Sequence, residues 1–554
     1  MINNAISKNK LVLALAVLLI GFSACKKNKV VPEVPAPPKP VTGTNDKQTP
    51  TTDRRALTND SLFLYAQQIY LWNDKLPTYD VFDPRTYTNL STDLANFRNE
   101  LFNITKTSGF ETVSGSSSPK YAFIRDEDTA NGSQSAAPAR LASVDLLDRG
   151  HDMGFLNFQG YGDDTGFDLY VKAVYPNSPA DLAKITRGTL ITKIGNQSIG
   201  FNFNAEVGII NAVLNGTTTS TTFSGMRPDG TVFTDVELSV KDYTSSPVFA
   251  SKIIEQGGKK VGYLAYSMFS VLTNTDSKNP SDTRIDPVFA NFAANNITDL
   301  VIDLRYNGGG SVQTAEYLLN LLAPANTTGV MFSESYNSTM KSGKATILAN
   351  QPLTDAKGKI QYSSSGKMFT LNDVDWSDAA NVYSFSKKGS LNGLKNIVFL
   401  VSNNTASASE LVINSIKPYV QSIKLVGKTT YGKPVGFFPI TLDKHYSVYL
   451  PSFESKNKNG EGGYYTGMKP DFMDTGKSDL FDDSSRDFGD PKESYLAKAL
   501  SLLAPVATAG VASRTSSNGI GGNVATAVKM TKTEFSNHNM GPSGMVETRY
   551  KLKK

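Results

Sequence analysis

A single cysteine, Cys25, and only three histidines, His151, His445 and His538, occur in 554 residues. One thiol excludes an internal disulfide, and so few soft donors leave no ligand set for zinc; neither a metal nor a cofactor is expected. An excess of charge of one sign is also missing. The 56 basic and 51 acidic residues give a formal charge of +5. No dense basic run interleaved with aromatics appears mid-chain, so nucleic acid is not an expected partner. Apolar residues, by contrast, are plentiful at 39%, with 10% aromatics. That suffices for real cores, and the length predicts two to four domains.

The cysteine has a telling address. In "MINNAISKNKLVLALAVLLIGFSACKKNK", Lys8 and Lys10 precede an apolar stretch from Leu11 to Ile20, and small residues precede Cys25. The stretch is too short to span a bilayer and reads as an export signal. Ser23, Ala24 and Cys25 resemble a bacterial lipobox, with Phe22 where leucine is commoner. That resemblance implies a signal peptide over 1–24 and an acylated Cys25. The protein would then be lipid-anchored to a bacterial membrane in the cell envelope, periplasmic or surface-exposed. An ordinary secretory signal with an incidental cysteine is the alternative. The Pro- and Thr-rich residues that follow read as a semi-extended tether over 25–57.

Helical spacing begins in "NDSLFLYAQQIYLWNDKLP" and returns over 89–102, predicting a small helical N-terminal domain at 58–148. Residues 149–245 alternate in period two between turn signals, with one short helix at 179–184, and predict a compact β-rich module. Its order of "MGFLNF", "VYPNSPADLA" and "GTLITKIG" resembles a PDZ domain. The resemblance implies a peptide groove whose carboxylate-binding loop falls on Met153, Gly154, Phe155 and Leu156. Over 250–504, buried apolar strands alternate with helical segments, which predicts an α/β layer. The tail at 505–554 is rich in Gly, Ser, Thr and Ala; composition leaves both disorder and a small strand appendage open.

Three segments of the α/β region carry chemistry. "VIDLRYNGGG" ends a strand in three glycines, whose exposed N–H groups suit half of an oxyanion hole or simply a tight turn. "TASASELVINSIK" places Ser407 and Ser409 at a helix start, where a serine caps the helix or, aided by the helix dipole, acts as a nucleophile. "VGKTTYGKPVG" holds Lys428 and Lys433. A serine hydroxyl needs a base. Lys433, flanked by glycine and proline among uncharged neighbours, can serve if burial lowers its pKa towards about 7–8. His445, with Asp443 or another acid, is the alternative base.

Together, "DLRYNGGG", "TASASE" and "TYGK" resemble the C-terminal processing (tail-specific) serine peptidases, which pair a PDZ domain with a Ser–Lys dyad; the order of parts extends over most of 59–500. The resemblance implies a multi-domain α/β (α+β) fold with a peptidase core of the ClpP/crotonase-like type. It makes Ser407 the nucleophile, Lys433 the base, and the N–H groups of Gly309 and Ala408 the oxyanion donors. The substrates would be unfolded or C-terminally exposed polypeptides, bound through their C-terminal residues. Two features depart from the family: the 26-position interval from Ser407 to Lys433 is one longer than usual, and Phe437 stands where several members carry an orienting glutamine. The latter motivates a rival reading, a catalytically inactive peptide-binding lipoprotein of the same fold.

Overall fold

The structure is a computed structural model. It describes residues 46–127, 144–506 (save 164, 277, 356–357 and 477–478), the backbone of 531–536, and 545–553 save 548. Cys25, the expected signal segment and most of the expected tether lie outside the described residues.

The first helix, Arg54–Ile69, starts inside the expected tether because Asp53 caps it, accepting from the N–H groups of Arg55 and Ala56. It stops at Ile69, well before Pro77, and its buried Leu62, Phe63, Ala66 and Ile69 face inward. A second long helix, Asp93–Thr105, is capped by Thr92 and buries Phe97, Leu101 and Ile104. These helices do not form a separate domain. Their apolar faces join one core with Leu300, Ile302, Phe399 and Leu411 of the α/β region. The strand Phe123–Asp126 also pairs antiparallel with Tyr446–Tyr449.

The β-rich module is a sheet built on the antiparallel strands Phe155–Asp163 and Gly166–Val174, continued by Leu190–Ile194, Ser220–Met226 and Val232–Ser239. A helix, Phe203–Leu214, packs on it, and the module has its own core around Phe158, Leu169, Ile191, Ile210 and Phe223. Its outermost strand comes from the tail: Thr531–Ser536 pairs antiparallel with Phe155–Asp163, from Thr531 opposite Gly162 to Ser536 opposite Asn157.

The α/β region is organised by a six-stranded sheet. Val248–Gln256 runs antiparallel to Lys259–Tyr266, and from there Asp299–Asp303, Asn396–Val401, Ser422–Gly427 and Phe472–Met473 follow in parallel. Asp299–Asp303 and Ile397–Val401 are buried at every position, as expected of central parallel strands covered on both faces. Helices Val312–Leu322, capped by Ser311, and Ala408–Ile416 lie on one side; Ser494–Leu503 lies on the other. A second sheet stands beside it in the order Val382–Ser384, Val330–Tyr336, Phe453–Asn457, Val435–Phe437 and Met545–Val546. Here too the last strand belongs to the tail.

Among the described residues no helix is long and apolar enough to cross a membrane, and no group of three or more His, Cys, Asp or Glu is arranged to hold a metal ion.

Candidate active site

Three adjacent parallel strands, Asp299–Asp303, Asn396–Val401 and Ser422–Gly427, end on the same edge of the sheet. Each hands its chain to one of the three sequence segments, the arrangement by which α/β folds gather chemistry at strand C-termini. The loops are laced together. Leu304 donates its N–H to Leu400 O at 2.9 Å, Ala406 donates to Asn307 O at 3.2 Å, and Tyr431 donates to Thr405 O at 2.9 Å. The Thr405 hydroxyl adds a 2.7 Å bond to Leu304 O.

Ser407 and Ser409 have different fates. The Ser409 hydroxyl donates to Asn307 O at 3.0 Å and so serves the loop. Ser407 is fully buried and has φ +62°, ψ −111°, a conformation that non-glycine residues adopt at a cost of about 1–3 kcal/mol. It forms the sharp corner between the loop and helix Ala408–Ile416. Its Oγ accepts the N–H of Met545 at 2.7 Å.

The lysines also separate. Lys428 is half-exposed, 3.9 Å from Asp474. Lys433 is 1% exposed, and among the described residues its Nζ has no hydrogen-bond partner. Burial lowers its pKa from 10.5 to about 7, against the opposing pull of Glu111 and Glu410. Nζ lies 4.4 Å from the centroid of the fully buried Phe437 ring. Phe437 thus presents an aromatic face to the amine, at the position where the family resemblance leads one to expect an amide. The Tyr121 hydroxyl donates to Gly432 O at 2.6 Å. Gly432 itself cannot be replaced: at φ +83° an added Cβ would come within 2.4 Å of Gly467 N.

Two buried carboxylates lie beside these groups. Glu410 stands at the third position of helix Ala408–Ile416, the spacing of a local cap. In the fold one of its oxygens accepts the N–H of both Ser407 (2.9 Å) and Lys433 (2.8 Å), and the other accepts from Gly432 N–H (2.8 Å) and the Thr430 hydroxyl (2.5 Å). A single buried side chain therefore ties the serine's corner to the lysine's strand. Burial pushes its pKa up, while these donors pull it down. Glu111, from the helical N-terminal segment, accepts the N–H groups of Tyr121 (2.7 Å) and Ala122 (3.1 Å). Burial pushes its pKa up to about 7 against those bonds and the charge of Lys433. No motif in the polar stretch around Glu111 signals this placement.

Several expected roles meet different geometry. The Gly309 N–H, an expected oxyanion donor, instead donates to Asn307 Oδ1 at 2.9 Å in a local turn, so that donor is committed as folded. Ala408 occupies the first position of its helix, where N–H groups lack an intrahelical acceptor. Gly310 approaches Phe269 so closely that a Cβ would lie 2.2 Å from its carbonyl oxygen, and its φ is +140°. In the β-rich module, Met153, Phe155 and Leu156 turn into buried positions. The Gly154 N–H is taken by Asp152 Oδ1 at 2.6 Å and is likewise occupied. His445 sits at a hairpin turn with Nδ1 2.9 Å from Asp443 O, and no hydrogen bond joins it to Ser407.

The strand that leads into the glycine loop is pinned from behind by charge. Asp482 receives Arg305 and Arg187 at 2.7 Å each, Lys172 at 3.3 Å, and the Tyr306 hydroxyl at 2.7 Å. Arg305 also binds Asp303 and Glu493. Lys172 and Arg187 belong to the β-rich module, whereas Arg305 and Tyr306 immediately precede Asn307.

No curated protein matches the chain. Among solved structures, a Bacteroides fragilis protein described as an S41 protease superposes with a TM-score of 0.53 at 20% identity, covering 82% of this chain and 98% of its own. A photosystem II D1 C-terminal processing protease matches at 13% identity and TM-score 0.39 over 77% of this chain and 94% of its own. The first likeness shows a shared fold. Residues 260–473, which contain all three segments, match Peptidase family S41. Residues 260–473 therefore carry a domain of peptidase family S41, the C-terminal processing protease family, a match that supports a serine-type peptidase.

Proposed function

We propose that the protein is an exported, lipid-anchored serine endopeptidase that cleaves unfolded or C-terminally exposed polypeptides through a Ser407–Lys433 dyad. The observation that carries this reading is the buried, unpartnered amine of Lys433, lowered to about pKa 7 by burial. It lies on a strand clamped by Glu410 to the corner that holds Ser407. An amine held neutral near pH 7 accepts a hydroxyl proton, whereas a solvated lysine does not.

The Ser407 proton passes to Lys433 Nζ as Oγ bonds to the scissile carbonyl carbon. The carbonyl oxygen becomes an oxyanion, stabilised by the Ala408 N–H and, once released from Asn307, the Gly309 N–H. Lys433 returns the proton to the departing amine and leaves an acyl-enzyme. Water, deprotonated by the same amine, hydrolyses that ester and regenerates Ser407. The PDZ-like module takes the substrate's C-terminal stretch as an added strand along Phe155–Asp163 in place of Thr531–Ser536, and lipid on Cys25 keeps the whole at a membrane surface.

The test is cleavage of a reduced, alkylated protein by the purified chain. Ser407→Ala should abolish it, and Lys433→Met should lower it by about 10²–10⁴-fold. Unchanged cleavage in either variant refutes the dyad. The second reading, peptide binding without cleavage, is favoured by Ser407 Oγ accepting an amide N–H while Lys433 makes no hydrogen bond. It would replace the first if the native chain binds C-terminal peptides but cleaves none over long incubation.

A further inference from the structure

We propose that the C-terminal segment Met545–Lys553 is a resident peptide ligand of the catalytic cleft, which silences Ser407 until a substrate chain displaces it or the segment is removed. This rests on the reading of the cleft as a peptidase site, and it adds what controls that site.

Position comes first. Met545–Val546 is an added strand, parallel to Val435–Phe437, with Met545 opposite Gly436 and Val546 opposite Phe437. On its other side Val546 bridges Ser311. The segment is therefore wedged between the glycine loop and the strand that follows Lys433. Val546 donates its N–H to Gly310 O and Glu547 donates to Phe437 O, both at 3.1 Å. These are backbone bonds that an extended polypeptide substrate would need.

The contact with the serine is unproductive. Attack requires an Oγ lone pair aimed at a carbonyl carbon and the hydroxyl hydrogen handed to the amine. Here the Oγ accepts the Met545 N–H at 2.7 Å. An amide hydrogen offers nothing to attack, and it holds one of the two Oγ lone pairs where a scissile carbonyl would have to approach. The segment thus occupies the site as an inhibitor does.

It is also anchored. Met545 and Glu547 are buried. The Glu547 carboxylate accepts from the Tyr383 hydroxyl at 3.1 Å and the Arg549 N–H at 2.6 Å. Arg549 pairs with Glu316 at 2.6 Å, and Tyr550 packs edge-on against Trp376. Lys551 O and the Lys553 N–H bond to the backbone of Asp375 and Asp373, each at 2.8 Å. The same tail supplies Thr531–Ser536 to the β-rich module, beside the helix Phe203–Leu214. The two places where a foreign peptide would add as a strand are both filled by this chain's own C-terminus. Because it is tethered, its effective concentration is on the order of millimolar, enough to compete with weakly held substrates.

The experiment compares the full chain with one lacking residues 545–554, each also as Ser407→Ala. The deletion should raise kcat/KM on an unfolded protein substrate more than tenfold. A synthetic peptide of residues 545–554 should then inhibit the shortened chain competitively, raising KM at constant kcat. Unchanged or lower turnover after deletion overturns the proposal. If neither form cleaves, the peptidase reading falls, and anisotropy of the fluorescent peptide on the shortened Ser407→Ala chain decides this one: binding supports a resident ligand, and no binding overturns it. If the shortened chain does not fold, the full-length variants Met545→Pro, which lacks the N–H, and Arg549→Glu are labelled with a fluorophosphonate. Faster labelling of Ser407 than in the parent is expected, and equal rates refute the idea.

Discussion

Two buried ionic clusters flank the same glycine loop, and they are built on opposite principles. Around Asp482, charges are matched. Burial pushes its pKa up, but Arg305, Arg187 and Lys172 overcome that and hold it well below the usual carboxylate range. Arg305 is surrounded in turn by Asp303, Glu493 and Asp482. Around Lys433, a cation of similar burial has two carboxylates within electrostatic reach and no hydrogen-bond partner among the described residues. Its neighbours are the Phe437 ring and backbone groups already claimed by Glu410. The first cluster spends burial on keeping charges fixed, and so orders the loop. The second uses burial to make a charge unwelcome, which is how a lysine becomes a base.

The contrast can be broken by exchanging what each cluster lacks. The largest effect is expected at Lys433. Lys433→Met should lower cleavage at pH 8 by about 10²–10⁴-fold and yet stabilise the fold at low pH. The sign follows from the lowered pKa. Below pH 7 the amine is protonated in both folded and unfolded chains, and its burial penalty is full. Between pH 7 and 10.5 the unfolded chain binds the extra proton, so the penalty fades as pH rises. The variant's gain, ~1.4 kcal/mol per unit of pKa difference, should therefore be greatest below pH 7 and shrink above it. Denaturant melts at pH 6 and pH 9 check this.

The opposite outcome is expected at the matched cluster. Asp482→Ala leaves Arg187, Lys172 and Tyr306 facing a gap and should destabilise by about 3–5 kcal/mol, seen as a lower melting midpoint. A smaller effect sharpens the comparison at Glu111, whose charge raises the Lys433 pKa. Glu111→Gln should move the ascending limb of the kcat/KM–pH profile to lower pH, by on the order of one unit. The smallest is expected at Phe437. Loss of the ring face over the ammonium, worth roughly 0.5–2 kcal/mol, should make Phe437→Leu less active by at most about tenfold and shift the same limb slightly to acid.

The three short motifs were legible because each is local: an apolar strand followed by glycines, by a serine at a helix start, or by a lysine between glycine and proline. That they meet follows from one parallel sheet, whose strands all end on one edge. Other features have no local signature. Glu410 sits at the spacing of a cap, and nothing in its neighbourhood says that its carboxylate reaches Thr430 and Lys433. Glu111 reaches the pocket only because the N-terminal helices share a core with the peptidase sheet, a long-range packing fact. The expected domain boundary near 148 sets those helices apart for the same reason, whereas the expected tether end at 57 overlaps a helix whose start Asp53 fixes locally. The tail carried a faint signal: after a Gly/Ser/Thr/Ala stretch, Val546, Tyr550 and Leu552 alternate with polar residues, as an added strand requires.

The most direct test of the central claim is the ionisation of Lys433 itself. With 13C-labelled lysine in the full chain, the Cε resonance assigned by its absence in Lys433→Met should titrate near pH 7, apart from the other lysines. A transition near 10.5 would mean that the amine stays charged throughout the working range, and the proposed base would be contradicted.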